Sequence, residues 1–219
     1  MLHSRDLVNW RPLGDALTLG DSDAGIEAVW APEVVYEASM FYMYYSAGGE
    51  EGEGHQLRVA TAARPEGPFE PTGTVLTPDE PFSIDAHPFR DRDGRWYLYY
   101  CRDFLDEADG RVGTGIVVDR LPEMTWLAGE SRTVMRPFAD WQIYERDRRW
   151  RGSVWDWHTV EGPFVCERAG RYYCLYSGGA WREPNYGVSH ATSDNPLGPF
   201  PPHRAPKRDR TSSAPSPER

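Results

Sequence analysis

Three stretches of the chain share one pattern of apolar and polar positions. They read WAPEVVYEASMFYMYYS (Trp30–Ser46), SIDAHPFRDRDGRWYLYYC (Ser83–Cys101) and VEGPFVCERAGRYYCLYS (Val160–Ser177). In each, a proline opens a short strand, a turn follows, and an aromatic strand ends on a small residue. Pro32 precedes Ser46 by 14 positions, Pro163 precedes Ser177 by 14, and Pro88 precedes Cys101 by 13. The aromatic strands do not alternate: Tyr42, Met43, Tyr44 and Tyr45 would line both faces. A sheet with one wet face alternates, so the pattern predicts strands covered on both sides.

A second repeated element, ATAARPEGPF at Ala60–Phe69 and ATSDNPLGPF at Ala191–Phe200, closes the units. Trp30 to Phe69 spans 39 positions and Val160 to Phe200 spans 40. A repeat of roughly 40–50 residues built from several short strands is the period of a propeller blade. The chain is therefore expected to be all-β, with complete blades over residues 30–69, 84–130 and 160–200. Residues 4–14 (SRDLVNWRPLG) are expected to form the last strand of a further blade, burying Leu7 and Trp10. Residues 135–156 are a charged, Trp-rich insertion between units. Residues 201–219, rich in Pro, Ser and Arg, are expected to be a disordered tail, leaving residues 1–200 as the folded domain.

Composition narrows the partners. A net charge of −10 argues against nucleic acid. No run approaches the roughly 18 apolar residues of a membrane span, and residues 1–6 lack the apolar core of a secretory signal. Three cysteines cannot all pair. If Arg168 faces Arg171 across a turn, then Cys166 faces Tyr173 and Cys174 lies on the opposite face. All three read as reduced thiols, and a cytoplasmic location is expected. The acidic, glycine-rich stretch 47–55 reads as a solvated connection rather than a metal site, and no cofactor is expected. Gly113 and Gly115 lack the spacing of a nucleotide loop.

In a propeller the first strand of each blade lines the central channel, so equivalent positions face one another. Asp85 lies three residues before Pro88, and Glu161 lies two before Pro163. Both are expected at matched blade positions over one channel mouth. Paired carboxylates of unequal pKa are the tool of glycoside hydrolysis; an acid ahead of a strand also commonly just bonds a turn.

The segments WAPEVVYE, SIDAHPFRDRDGRWYLYYC and VEGPFVCERAGRYYCLYSGG, with DLVNW before them and ATSDNPLGPF after, resemble the signatures of glycoside hydrolase family 43 over residues 4–200. The resemblance implies a five-bladed β-propeller and an inverting glycosidase acting on arabinose- or xylose-containing oligosaccharides or polysaccharides. It implies Glu161 as general acid and Asp85 as the aspartate that tunes and orients it. Trp30, His87 and Trp157 are candidate pocket walls. His87 reads either as a ligand or proton carrier, or as a satisfied structural histidine. Trp141, Trp155 or Trp157 either pin the insertion or stack on a sugar ring.

The family's general base is an aspartate upstream of the DLVNW-like segment, and no residue here matches it. Glu33 and Asp6 are poor substitutes. The chain is thus expected to be an incomplete propeller of about three blades and a remnant, truncated at both ends. Its exposed blade edges are expected to drive self-association. A non-catalytic carbohydrate-binding propeller and a gene fragment are the alternatives.

Overall fold

A computed structural model of the chain describes residues 1–20, 25–50, 53–106, 111–150 and 152–201. The expected tail, apart from Pro201, lies outside the described residues. Every long element is a strand. Four strands, β3 (Ala28–Glu37), β4 (Met40–Gly48), β5 (Gln56–Ala62) and β6 (Glu70–Val75), form an antiparallel meander in that order. The second meander is β7 (Ser83–Arg90), β8 (Trp96–Phe104), β9 (Gly113–Arg120) and β10 (Arg132–Met135). The third is the second half of β12 (Ser153–Arg168), then β13 (Arg171–Gly178) and β14 (Gly187–Ser193). These are blades, and the expected repeat is present.

The boundaries shift by one strand. The GPF elements do not close the blades; in the first unit the fourth strand, β6, follows Phe69. The second blade likewise runs on to Met135. Each GPF phenylalanine is buried instead as a plug between neighbouring elements. Phe69 N donates to Ala16 O at 2.7 Å, and Phe200 N donates to Val134 O in β10 at 3.4 Å. Ala16 thus stands to the first blade as the outer strand of the second blade stands to the third.

That equivalence corrects the reading of residues 4–14. Leu7 and Trp10 are exposed, not buried. Asp6 Oδ1 accepts from the N–H of Val8 and of Asn9, and Oδ2 accepts from Asn9 Nδ2, so the segment is a turn. It joins two short strands, β1 (Leu2–His3) and β2 (Arg11–Pro12), which among the described residues pair only with each other.

The aromatic strands are covered on both faces, as their lack of alternation requires. Tyr44, Leu57, Leu98, Tyr100 and Val117 interlock between the first and second blades. Tyr99, Cys101, Ile116, Val160, Cys174 and Tyr176 fill the space between the second and third. Met43, Tyr45 and Phe69 on the outer face of the first blade pack under Met1, Ala16, Leu17 and Ile26. Burial of this kind stabilises by roughly 25 cal/mol per Å² of apolar surface.

The second and third blades are also joined through their backbones. His158 and Thr159 of β12 pair in parallel with Gly113 and Thr114 of β9. A Cβ on Gly113 would sit 1.8 Å from the His158 carbonyl oxygen, and one on Gly115 would sit 2.7 Å from that of Met135. The two glycines are there for close backbone approach.

The insertion forms a hairpin arm. Strand β11 (Ile143–Trp150) pairs antiparallel with the first half of β12, with two register shifts. The run Glu145–Arg149 gives it no apolar alternation to betray it. In the third blade Arg168 faces Arg171 and Cys166 faces Tyr173, as expected, and all three cysteines are free thiols.

Candidate active site

The inner strands β3, β7 and β12 each carry a bulge at the same place. The register slips between Trp30 and Glu33, between Ile84 and His87, and between Glu161 and Phe164. The residue after each slip begins is left-handed: Ala31 at φ 47°, Asp85 at 57° and Gly162 at 60°. Bulges of this kind re-aim side chains at sheet ends, and Asp tolerates the left-handed region better than most residues.

This register corrects the expected equivalence of the two acids. Trp30, Ile84 and Glu161 share one position, while Asp85 corresponds to Ala31 and Gly162. The prolines mislead because Pro32 and Pro163 lie inside the bulge, whereas Pro88 lies two residues beyond the matching place. The offset does not separate the acids. Asp85 Oδ2 accepts from Gly162 N at 2.9 Å, which brings its carboxylate beside Glu161. Cys101 Sγ lies 4.0 Å from the same oxygen, and burial pushes that thiol well up, so it stays protonated.

Burial and then the charge of Asp85 raise the Glu161 carboxyl to about 7, against an opposing hydrogen bond from Tyr186. Tyr186 Oη donates to Glu161 Oε1 at 2.9 Å. Burial also raises Asp85, opposed by the Gly162 N–H. Two carboxyls in one desolvated place thus share fewer protons' worth of charge than they would in water, and Glu161 holds a proton near neutrality.

Glu161 opens on a cleft lined by Trp30, Trp157, Trp150, Trp181, Tyr144 and Arg148, and also by Asp103 and Thr114. Trp30 stacks on His55 with ring centroids 3.8 Å apart. Arg148 comes from the arm, its guanidinium 4.8 Å from the Trp157 ring centre and 4.9 Å from that of Trp150. Trp157 is only 2% exposed and lies under Arg148, so it supports the wall rather than offering a free face. Trp141 takes the pinning role: a Cβ on Gly178 would meet its ring at 2.9 Å.

His87 is not a pocket wall. It is buried, its Nδ1 lies 2.9 Å from Glu33 Oε1, and its Nε2 donates to Val165 O at 3.1 Å. It ties the inner strands of all three blades and has no nitrogen left for a ligand. The same bond occupies Glu33, and the N-terminal turn occupies Asp6.

Tyr186, Asp103 and Arg148 were not singled out from the sequence. For Tyr186 a signal exists. Register makes Ser46 and Ser177 equivalent, and hence His55 and Tyr186. His55 touches Trp30 and Ser46; Tyr186 touches Glu161 and Ser177. One three-residue contact is thus used twice.

A sequence profile described as glycosyl hydrolases family 43 matches residues 1–217. The Beta-D-galactofuranosidase xynD of Aspergillus niger is 29% identical over 90% of this chain and 53% of its own length. An extracellular exo-alpha-(1->5)-L-arabinofuranosidase of Streptomyces chartreusis is 28% identical over 85% of this chain and 51% of its own. The crystal structure of a thermostable family-43 glycoside hydrolase superposes with a TM-score of 0.76 at 32% identity, covering 91% of this chain and 62% of that one. The chain spans about half the length of the curated relatives it matches. Its three blades are those of an incomplete five-bladed propeller, and the chain belongs to glycosyl hydrolases family 43.

Proposed function

We propose that this chain carries the acid half of an inverting glycoside-hydrolase site for arabinose- or xylose-containing saccharides. The observation that carries the reading is a carboxyl raised to about 7, Glu161, on an aromatic cleft beside a second acid. In this reading Glu161 donates its proton to the glycosidic oxygen as the bond to the anomeric carbon breaks. Asp85, fixed by Gly162 N–H, supplies the negative charge that keeps Glu161 loaded beforehand. Trp30 and the exposed Trp181 offer ring faces to the sugar, and Arg148 offers donors to its hydroxyls.

Inversion also needs a base to activate water on the opposite face of the sugar. Glu33 and Asp6 are engaged elsewhere. That observation favours, as a second reading, saccharide binding without turnover by this chain alone. The test is incubation with unactivated arabino- and xylo-oligosaccharides, with and without azide, a nucleophile that needs no deprotonation. Turnover near background that azide raises, and that Glu161→Gln abolishes, supports the acid reading. Binding with no azide effect supports the binding reading. Failure to bind either sugar class overturns both. Robust turnover without azide would show that a base is present, and Asp103, which lines the cleft, is the first residue to replace.

A further inference from the structure

Tyr186 sits on the loop between β13 and β14, far in sequence from both acids and outside every motif that marks the site. Its hydroxyl donates to Glu161 Oε1 at 2.9 Å and also bonds Ser177. The loop that delivers it is fastened to the arm. Asn185 Nδ2 donates to Trp141 O at 3.2 Å and to Ile143 O at 3.0 Å. Gly178 and Gly179 make room for this: a Cβ on Gly179 would stand 2.8 Å from Asn185 O and 3.0 Å from Trp141 O. Tyr186 N closes the turn onto Glu183 O at 3.1 Å.

We propose that Tyr186 is a positioning residue for Glu161, held by Ser177 and by the Asn185–Trp141 link so that the arm sets the acid's orientation. This rests on the reading of Glu161 as the acid. The physical grounds are its geometry and its place in the repeat. In the first blade the same three positions hold Trp30, Ser46 and His55, a packed wall. In the third, the wall becomes a carboxyl gripped by a phenol that accepts from one side and donates to the other. A donor aimed at Oε1 fixes the turn of the carboxyl and is not aimed at Oε2. It also favours the ionised carboxylate, opposing burial and Asp85. Tyr186 itself is pushed up to about 12 by burial first, so it remains a donor wherever Glu161 titrates.

The test is the carboxyl ¹³C titration of Glu161, assigned by its loss in Glu161→Gln, in the full chain and in Tyr186→Phe and Asn185→Ala. Removing the phenol hydroxyl is expected to raise the midpoint by about one unit. Asn185→Ala keeps both groups but frees the loop, and is expected to shift it less, in the same direction. Should Tyr186→Phe fail to fold, Ser177→Ala reads the same link, again with an upward shift. A midpoint that stays or falls in Tyr186→Phe, or in Ser177→Ala in its place, overturns the proposal. The titration needs no turnover. An upward shift without azide-dependent hydrolysis would therefore keep the positioning link while removing the acid reading.

Discussion

Asp85 Oδ2 accepts a hydrogen bond from the backbone N–H of Gly162, the residue in the same bulge one blade further on. Each partner suits its half of this contact. Gly162 adopts a left-handed φ of 60° without cost, which aims its N–H at the carboxylate. Asp85 adopts 57° and turns its carboxylate across the gap between blades instead of along its own strand. The bond therefore fixes one acid against the chain segment that carries the other.

The raised pKa of Glu161 makes stability depend on pH. The folded state holds this proton more tightly than the unfolded chain, whose value is 4.5. Its stabilising contribution is complete below about pH 4.5, is lost as pH rises towards about 7, and is gone above it. Glu161→Gln stays neutral throughout. The variant is expected to match the parent at pH 4 and to exceed it at pH 8 by on the order of 3 kcal/mol, read by urea unfolding. An advantage that is flat with pH, or larger at low pH, would contradict the assignment.

His87 is expected to matter for stability and not for the site. His87→Ala leaves the Glu33 carboxylate and the Val165 carbonyl without their partner and opens a cavity between blades. The expected loss is about 3 kcal/mol in urea unfolding, with saccharide affinity unchanged. A small stability loss with a large fall in affinity would return His87 to the pocket.

Much of this was legible in the residues. Aromatic strands without alternation require two covered faces, and their recurrence with a fixed turn gives blades. The pairing of Asp85 with Glu161 was legible only as a neighbourhood. Proline spacing suggested matched positions, whereas the register is set by a bulge, which depends on backbone angles that no spacing reports. The residues leave His87 open between a pocket role and a structural one; the fold puts it in the inter-blade core, bonded to Glu33 and Val165. The arm hid because the charged run of β11 pairs through its backbone, while Arg148 lies on aromatic rings and Arg146 pairs with Asp156.

The open face of the third blade should promote association. Phe164, Leu175 and Val188 lie together on one face of that sheet and are 52%, 40% and 72% exposed. A second copy of the chain is expected to cover them. Light scattering after size-exclusion chromatography should give a mass above one chain, reduced towards one by Leu175→Glu. A monomer across the accessible concentration range would remove this expectation.

The coupling of the two acids is tested most directly by the ¹³C carboxyl titration of Glu161 in the parent chain and in Asp85→Asn. Asparagine can still accept from Gly162 N but carries no charge. The parent is expected to titrate at about 7, and Asp85→Asn at a lower pH, because one of the two causes of the raised value is gone. A parent midpoint in the ordinary range near 4.5, or one that Asp85→Asn leaves in place, would contradict the account.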